Sequence, residues 1–316
     1  MPYQLQAGET EAQALRRCAR EQLDRAIAEL TDGLKTDPVT AVHDARKALK
    51  KERSLLRLAR GPMKPSERRA INAALRDAGR RLSDARDAEV MIQAVDDLST
   101  RYAGQLPKRT FNAIKSHLNK QAAGARASLA DASAVADELR GLRAGVDDWR
   151  MRGDGWKAIG DGLEEGYRRG RRAYRRARRK PTTENLHEWR KRAKDFWYHV
   201  RLLEPLSPAA LHGYAKEAHE LSDLLGDDHD LAVLRDTLVG ADAAVPADVE
   251  SVLTLIEHRR DQLQAEAMQV GARLYAEKPK AFTRRMRAYW KAWRSDAAPA
   301  PEPVHLRGRV AATPGP

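Results

Sequence analysis

Residues 42–58, VHDARKALKKERSLLRL, and residues 186–202, LHEWRKRAKDFWYHVRL, carry one pattern twice, 144 positions apart. His43 aligns with His187, Arg46 with Arg190, Lys47 with Lys191, Lys50 with Lys194 and Arg57 with Arg201. On a helical wheel the cations of the first copy fall on one stripe about 100° wide. Val42, Ala45, Leu49, Leu56 and Ala59 fall opposite, with Glu52 as the odd member among them. In the second copy Leu186, Trp189, Ala193, Phe196, Val200 and Leu203 make an apolar seam, and the cations face away from it. Each copy therefore reads as an amphipathic helix with one face for a core and one face almost wholly cationic. An ordinary solvated face mixes signs for pairing between adjacent turns. Like charges stacked turn upon turn repel unless an anion offsets them.

The repeat extends beyond these helices. LSDARDAEV from Leu82 lies over LGDDHDLAV from Leu225 with a shift of 143, pairing Asp84 with Asp227 and Asp87 with Asp230. At 144, Arg140 falls on Arg284, Arg143 on Arg287 and Trp149 on Trp293. The expectation is an all-α chain of two homologous helical-bundle halves, residues 1–150 and 155–295, related by internal duplication with an offset near 144. Breakers divide the first half into helices over 10–34 and from Thr40 (as cap) to Arg60, a third opening at Ser66 and followed by helical pattern through Tyr102, and further pattern over 108–150 with an interruption near Ala130-Asp131. Arg152-Gly153-Asp154-Gly155 is the expected boundary between halves. Residues 296–316, with five prolines, are expected to be a disordered tail.

Composition agrees. Of 316 residues, 33% are charged and only 5% aromatic, which favours helices over sheets. The 58 Lys and Arg against 45 Asp and Glu leave a net charge of +13, which suits a polyanionic partner. A single cysteine, Cys18, excludes a disulfide framework and any multi-cysteine zinc site, and reads as a packing residue. The N-terminus lacks the order of a signal peptide and no apolar run is long enough to span a bilayer, so a cytoplasmic protein is expected.

Two further segments continue the cationic theme. In YRRGRRAYRRARRK, residues 167–180, Arg168, Arg171, Arg172, Arg175 and Arg179 share one face; the matching stretch of the first half is mixed in charge. Near the C-terminus Lys280, Arg284, Arg287, Lys291 and Arg294 recur at helical spacing opposite Phe282, Met286, Tyr289 and Trp293. If such helices bundle by their seams, their stripes line a shared cleft. Arginine suits phosphate there, because its planar fork donates two parallel charge-assisted hydrogen bonds.

Asp227-Asp228-His229-Asp230 and the His-Asp pairs at 43–44 and 229–230 invite comparison with the metal-dependent HD phosphohydrolases. The repeat argues against a metal, because Arg86 stands opposite His229 and cannot ligate one. A capping or inter-helix role is expected for Asp84, Asp87, Asp227 and Asp230 instead. No Walker-type phosphate loop and no triad-like serine occurs. A nucleic-acid reading needs aromatics interleaved with the cations for stacking, yet Trp189, Phe196, Tyr289 and Trp293 sit on or beside apolar seams.

The doubled H-x-x-R-K-x-x-K stripe, the LSDARD and LGDDHD segments, read as turns, and the YRRGRRAYRRAR helix together resemble the CHAD family, the conserved histidine α-helical domain, over about residues 10–295. The resemblance implies two helical-bundle halves around a basic central cavity that binds inorganic polyphosphate. It carries over His43, Arg46, Lys47, Lys50, His187, Arg190, Lys191 and Lys194 as cavity residues. Arg57, Arg140, Arg168, Arg171, Arg172, Arg175, Arg201, Arg284, Arg287 and Lys291 join them as candidate contacts from the repeat and the other basic helices. The function expected is non-enzymatic polyphosphate binding in a groove where the halves meet, without metal or cofactor. The location expected is the cytoplasm, with polyphosphate granules as a specific site there. The two halves use up the chain, leaving no room for a fused triphosphate-tunnel catalytic domain. Because the first half lacks the arginine run, unequal binding by the two halves is expected.

Overall fold

The structure is a computed structural model that describes residues 3–82, 84–126, 132–240 and 249–296. Of the tail expected at 296–316, Asp296 is described and ends a helix, while 297–316 and the expected interruption at Ala130-Asp131 lie outside the described residues. The protein is all-α: no strand occurs among the described residues, only isolated bridges such as Met63 to Met151.

Helix α1 (Glu11–Ala28) starts at a capping box, in which the Thr10 hydroxyl accepts from the Gln13 amide and the Gln13 side chain accepts from the Thr10 amide. A π-helical turn, Glu29–Gly33, leads into the short α2 (Leu34–Thr36). Helix α3 (Pro38–Leu58) is capped by Asp37, whose carboxylate accepts from the amides of Val39 and Thr40. Thr40 is thus inside the helix, not its cap; Pro38 at the first position fixes the earlier start. The helical pattern that opens at Ser66 and runs through Tyr102 forms two helices, α4 (Pro65–Arg81) and α5 (Asp84–Arg101). They are followed by α6 (Lys108–Arg126) and α7 (Ala132–Ala144). The segment around Gly153 and Gly155, both with left-handed φ (82° and 63°), turns the chain into α8 (Trp156–Arg179). Then come α9 (Thr183–Leu203), α10 (Pro208–Val239), α11 (Val249–Leu274) and α12 (Pro279–Asp296).

Every seam residue read from α9 is buried, as are Val42, Ala45, Leu49 and Leu56 of α3. Glu52, the odd member, is buried with them. Its carboxylate oxygens have no hydrogen-bond partner among the described residues, and burial pushes its pKa up to about 8, so it is packed as the neutral acid.

Two hydrophobic cores result. One joins α1, α3, α4, α7, α8, α9, α12, the start of α10 and the end of α11. The other joins α5 and α6 to the remainder of α10 and α11, through residues such as Val95, Leu118, Leu234 and Ile256. Each core draws on both sides of residue 150. Helix α3 packs on both α8 and α9. The crossing with α8 is a backbone contact: a Cβ placed on Gly162 would lie 1.9 Å from the Leu58 carbonyl oxygen. This close crossing brings α3 beside α9, the two helices that the sequence repeat matches; both are 21 residues long. No described helix is long and apolar enough to cross a membrane.

Candidate anion-binding cavity

Because the apolar seams of α3 and α9 are consumed by the core, their cationic faces must point elsewhere. They meet across a cavity of about 500 Å³, closed by Val90 and Met91 of α5 and by His229, Asp230 and Val233 of α10. Arg46, Lys50, Arg53 and Arg57 line it from α3; Arg190, Lys191, Arg192 and Lys194 line it from α9, beside His187, Asp195 and Tyr198. Eight cations face two carboxylates, leaving a surplus of six positive charges in this small volume. The crowding is felt at Arg53, whose guanidinium is brought down to about 10 by burial first and by Arg57 next to it.

The cationic faces are less pure than the sequence suggests. Asp195 accepts from Arg57 at 3.0 Å and from Arg192 at 3.1 Å. Glu188 takes Lys191 and Arg192, each at 2.8 Å, and Asp230 lies 3.8 Å from Arg190. Arg46 donates to the Leu82 carbonyl at 2.7 Å, tying the cavity to the end of α4. These contacts fix the guanidinium planes while leaving donors unused, since each guanidinium carries five N–H groups. His187 and His229 pack against each other with ring centroids 4.2 Å apart and planes tilted by 37°, and neither Nδ1 has a hydrogen-bond partner among the described residues.

Of the residues singled out in the sequence, the cavity gathers Arg46, Lys50, Arg57, His187, Arg190, Lys191 and Lys194. His43 and Lys47 are not among its lining; Asp44 between them pairs with Arg25 at 2.7 Å and lies 3.9 Å from Lys47. The other candidates sit elsewhere. Arg201 lies over the Trp197 ring. Arg140 pairs with Asp137, Arg168 with Glu164 and Glu165, and Arg171 donates to the Tyr275 carbonyl. Arg172 lines a separate shallow groove. Arg175 on α8, and Arg284, Arg287 and Lys291 on α12, are exposed. The seams place α8 and α12 against the core from outside, so their stripes face outward rather than into the shared cleft.

Arg53 and Arg192 are cavity residues that the repeat passes over, because Trp197 and Ala48 stand at the matching positions. The signal that finds Arg53 is the spacing Arg46, Lys50, Arg53, Arg57, a continuous helical stripe.

The LGDDHD segment is not a turn. It lies within α10, so Asp227 and Asp230 cap nothing. Asp230 lies 3.8 Å from Arg190 on α9, an inter-helix contact, and its neighbour Asp228, to which the sequence assigned no role, is buried and accepts from Arg260 at 3.1 Å and Gln264 at 2.8 Å, both on α11. Consecutive residues of one helix fan outward, and His229 turns to His187 while Asp228 turns to α11. No group of three or more metal-type side chains converges among the described residues.

Fold and cavity together define an all-helical protein that presents converging cationic faces to a cleft. The chain belongs to the CHAD domain family, which it matches over residues 17–239. Among solved structures it is similar to PptA from Streptomyces chartreusis, with 13% identity, a TM-score of 0.59, and coverage of 85% of this chain and 100% of that one. It is also similar to the CHAD domain from the plant Ricinus communis, with 19% identity, a TM-score of 0.55, and coverage of 92% and 94%. At these identities the likeness concerns the fold. No curated protein matches the sequence.

Proposed function

We propose that the protein binds inorganic polyphosphate in the cavity between α3 and α9 and performs no chemical step on it. The observation that carries this reading is the surplus of six positive charges converging from two helices. A chain of phosphates is a linear array of acceptors, and a helical turn advances about 5.4 Å, so one flexible polyanion can bridge cations on successive turns. The scarcity of stacking surface favours polyphosphate over single-stranded nucleic acid, because among the described residues Tyr198 is the one aromatic in the lining besides the histidines, and it is 1% exposed. A cytoplasmic, granule-associated location is part of this proposal, because the binder follows its polymer.

The test is a salt titration of long-chain polyphosphate binding, with single-stranded RNA as competitor at matched salt. Replacing Arg190 and Lys194 by alanine removes two contacts. The slope of log K against log salt should then fall by about 1.4–1.8, taking roughly 0.7–0.9 per contact from nucleic-acid polyanions. The melting temperature should change little. Unchanged affinity and slope would reduce the stripe to a solvated face. RNA that displaces polyphosphate at equal concentration would move the reading to nucleic acid. Release of orthophosphate by the pure protein would make it an enzyme.

A further inference from the structure

Asp195 is a carboxylate in the lining of a cavity whose other charges are mostly positive. The sequence repeat does not ask for it: Lys51 stands at the matching position of α3 and lies over the Tyr3 ring. A fixed negative charge repels a polyanion, so its place there needs a physical reason. The geometry supplies one. One carboxylate oxygen accepts from Arg57 of α3 at 3.0 Å and the other from Arg192 of α9 at 3.1 Å, so a single side chain bridges the two cationic faces. It also pulls against the burial and the Arg57 repulsion that lower Arg53. Without this carboxylate the guanidinium groups of Arg53, Arg57 and Arg192 would repel one another across the α3–α9 seam and spread.

The packing of the two helices has other supports. The Ser54 hydroxyl donates to the Asp195 backbone carbonyl at 3.1 Å, and His199 Nε2 donates to the Ser54 carbonyl at 2.9 Å. Both contacts join α3 to α9 through main-chain oxygens, so they survive a change of the side chain at 195. What that side chain adds is the placement of the arginines. Arg57 gives it one N–H; Arg192 gives it one and gives Nε to Glu188. Each guanidinium has five N–H groups, so donors remain for a ligand.

Building on the polyphosphate reading, we propose that Asp195 is a positioning residue: it holds Arg57 and Arg192 converged for phosphate, and so strengthens anion binding although its own charge opposes it. An arginine that is already held loses less freedom when it meets a phosphate. The gain at two arginines outweighs the repulsion of one carboxylate whose charge both of them offset. The sign of the effect separates this role from that of a bystander. A carboxylate that merely dilutes the positive charge weakens binding, and removing it tightens binding.

The experiment measures long-chain polyphosphate binding to the full chain over a salt series. It compares wild type, Asp195→Asn, the pair Arg57→Gln with Arg192→Gln, and all three changes together. Asparagine keeps the shape of the side chain, and a thermal melt verifies that each variant is folded. Asp195→Asn should lose about threefold to tenfold in affinity. Its slope of log K against log salt should become shallower, by at most about 1.4–1.8 for two displaced contacts. In the background without the two arginines the same substitution should tighten binding, because only its repulsion is left to remove. The positioning role is overturned if Asp195→Asn binds as tightly as wild type or more tightly. It is overturned equally if the substitution weakens binding to the same extent in both backgrounds, which would mark a general loosening of the site. If the arginine pair does not fold, the sign of the single substitution decides alone. Wild-type protein that does not bind polyphosphate would defeat the functional reading itself, a result distinct from any behaviour of the Asp195 variant.

Discussion

His187 and His229 show what one pair of side chains contributes to the site. Burial first, then Lys191 and Arg190, hold the His187 imidazole below its ordinary value, against the pull of Glu188. Burial, then His187, Arg190, Arg260 and Lys191, bring His229 down to about 3. The groups facing the pair are therefore cationic from α3 (Lys50), α9 and α11, with Asp230 of α10 as a carboxylate in the same lining. An imidazole depressed in the folded state stabilises the fold above its unfolded value of about 6.5, and that contribution is lost as pH falls below it. A polyanion in the cavity acts in the opposite sense, since it stabilises the imidazolium. Binding should then take up protons and tighten between pH 8 and 5.5, by at most about tenfold per pH unit for each proton. His229→Gln should flatten that dependence, and comparing the two proteins on one ligand cancels the ligand's own titration. Parallel pH profiles would show that the pair stays neutral with ligand bound.

Among the elements, α3 and α8 meet so closely that Gly162 is a fixed spacing between them. The obstruction to a methyl group there is the Leu58 backbone, not the end of a flexible side chain. Gly162→Ala should destabilise by about 1–3 kcal/mol, the range for overpacking, read as a lowered melting temperature. An unchanged melt would mean that α8 shifts freely along α3. The sequence made the seam of α9 legible, because its apolar residues recur regularly and all six are buried. Start and stop signals were less decisive: Asp37 and Thr40 are both good caps, and only Pro38 tells them apart. The aspartates of 227–230 resembled a turn because the stabilising partners of Asp228, Arg260 and Gln264, lie more than thirty positions away. Internal matching selected cations shared by both copies, so it admitted His43 and Lys47, which do not line the cavity, and omitted Arg53 and Arg192, which do. The outward orientation of α8 and α12 is decided by which neighbours their seams meet, and no local pattern encodes that.

For the whole molecule, the sequence repeat and the packing divide the chain differently. The repeat places a boundary at residues 152–155, yet Trp149, Leu163 and Phe282 share one core, and Val95, Phe111, Leu234 and Ile256 share the other. A chain severed within the exposed Arg152–Asp154 segment would yield two fragments, each holding an incomplete portion of both cores. Expressed singly, each fragment should lack a cooperative melt; mixed or co-expressed, they should recombine into one complex that melts as a unit. A sharp transition from either fragment alone would contradict this. The two cores therefore make the protein a natural candidate for fragment complementation, in which reassembly of the severed chain also rebuilds the α3–α9 cavity and can be read out by capture of its anion.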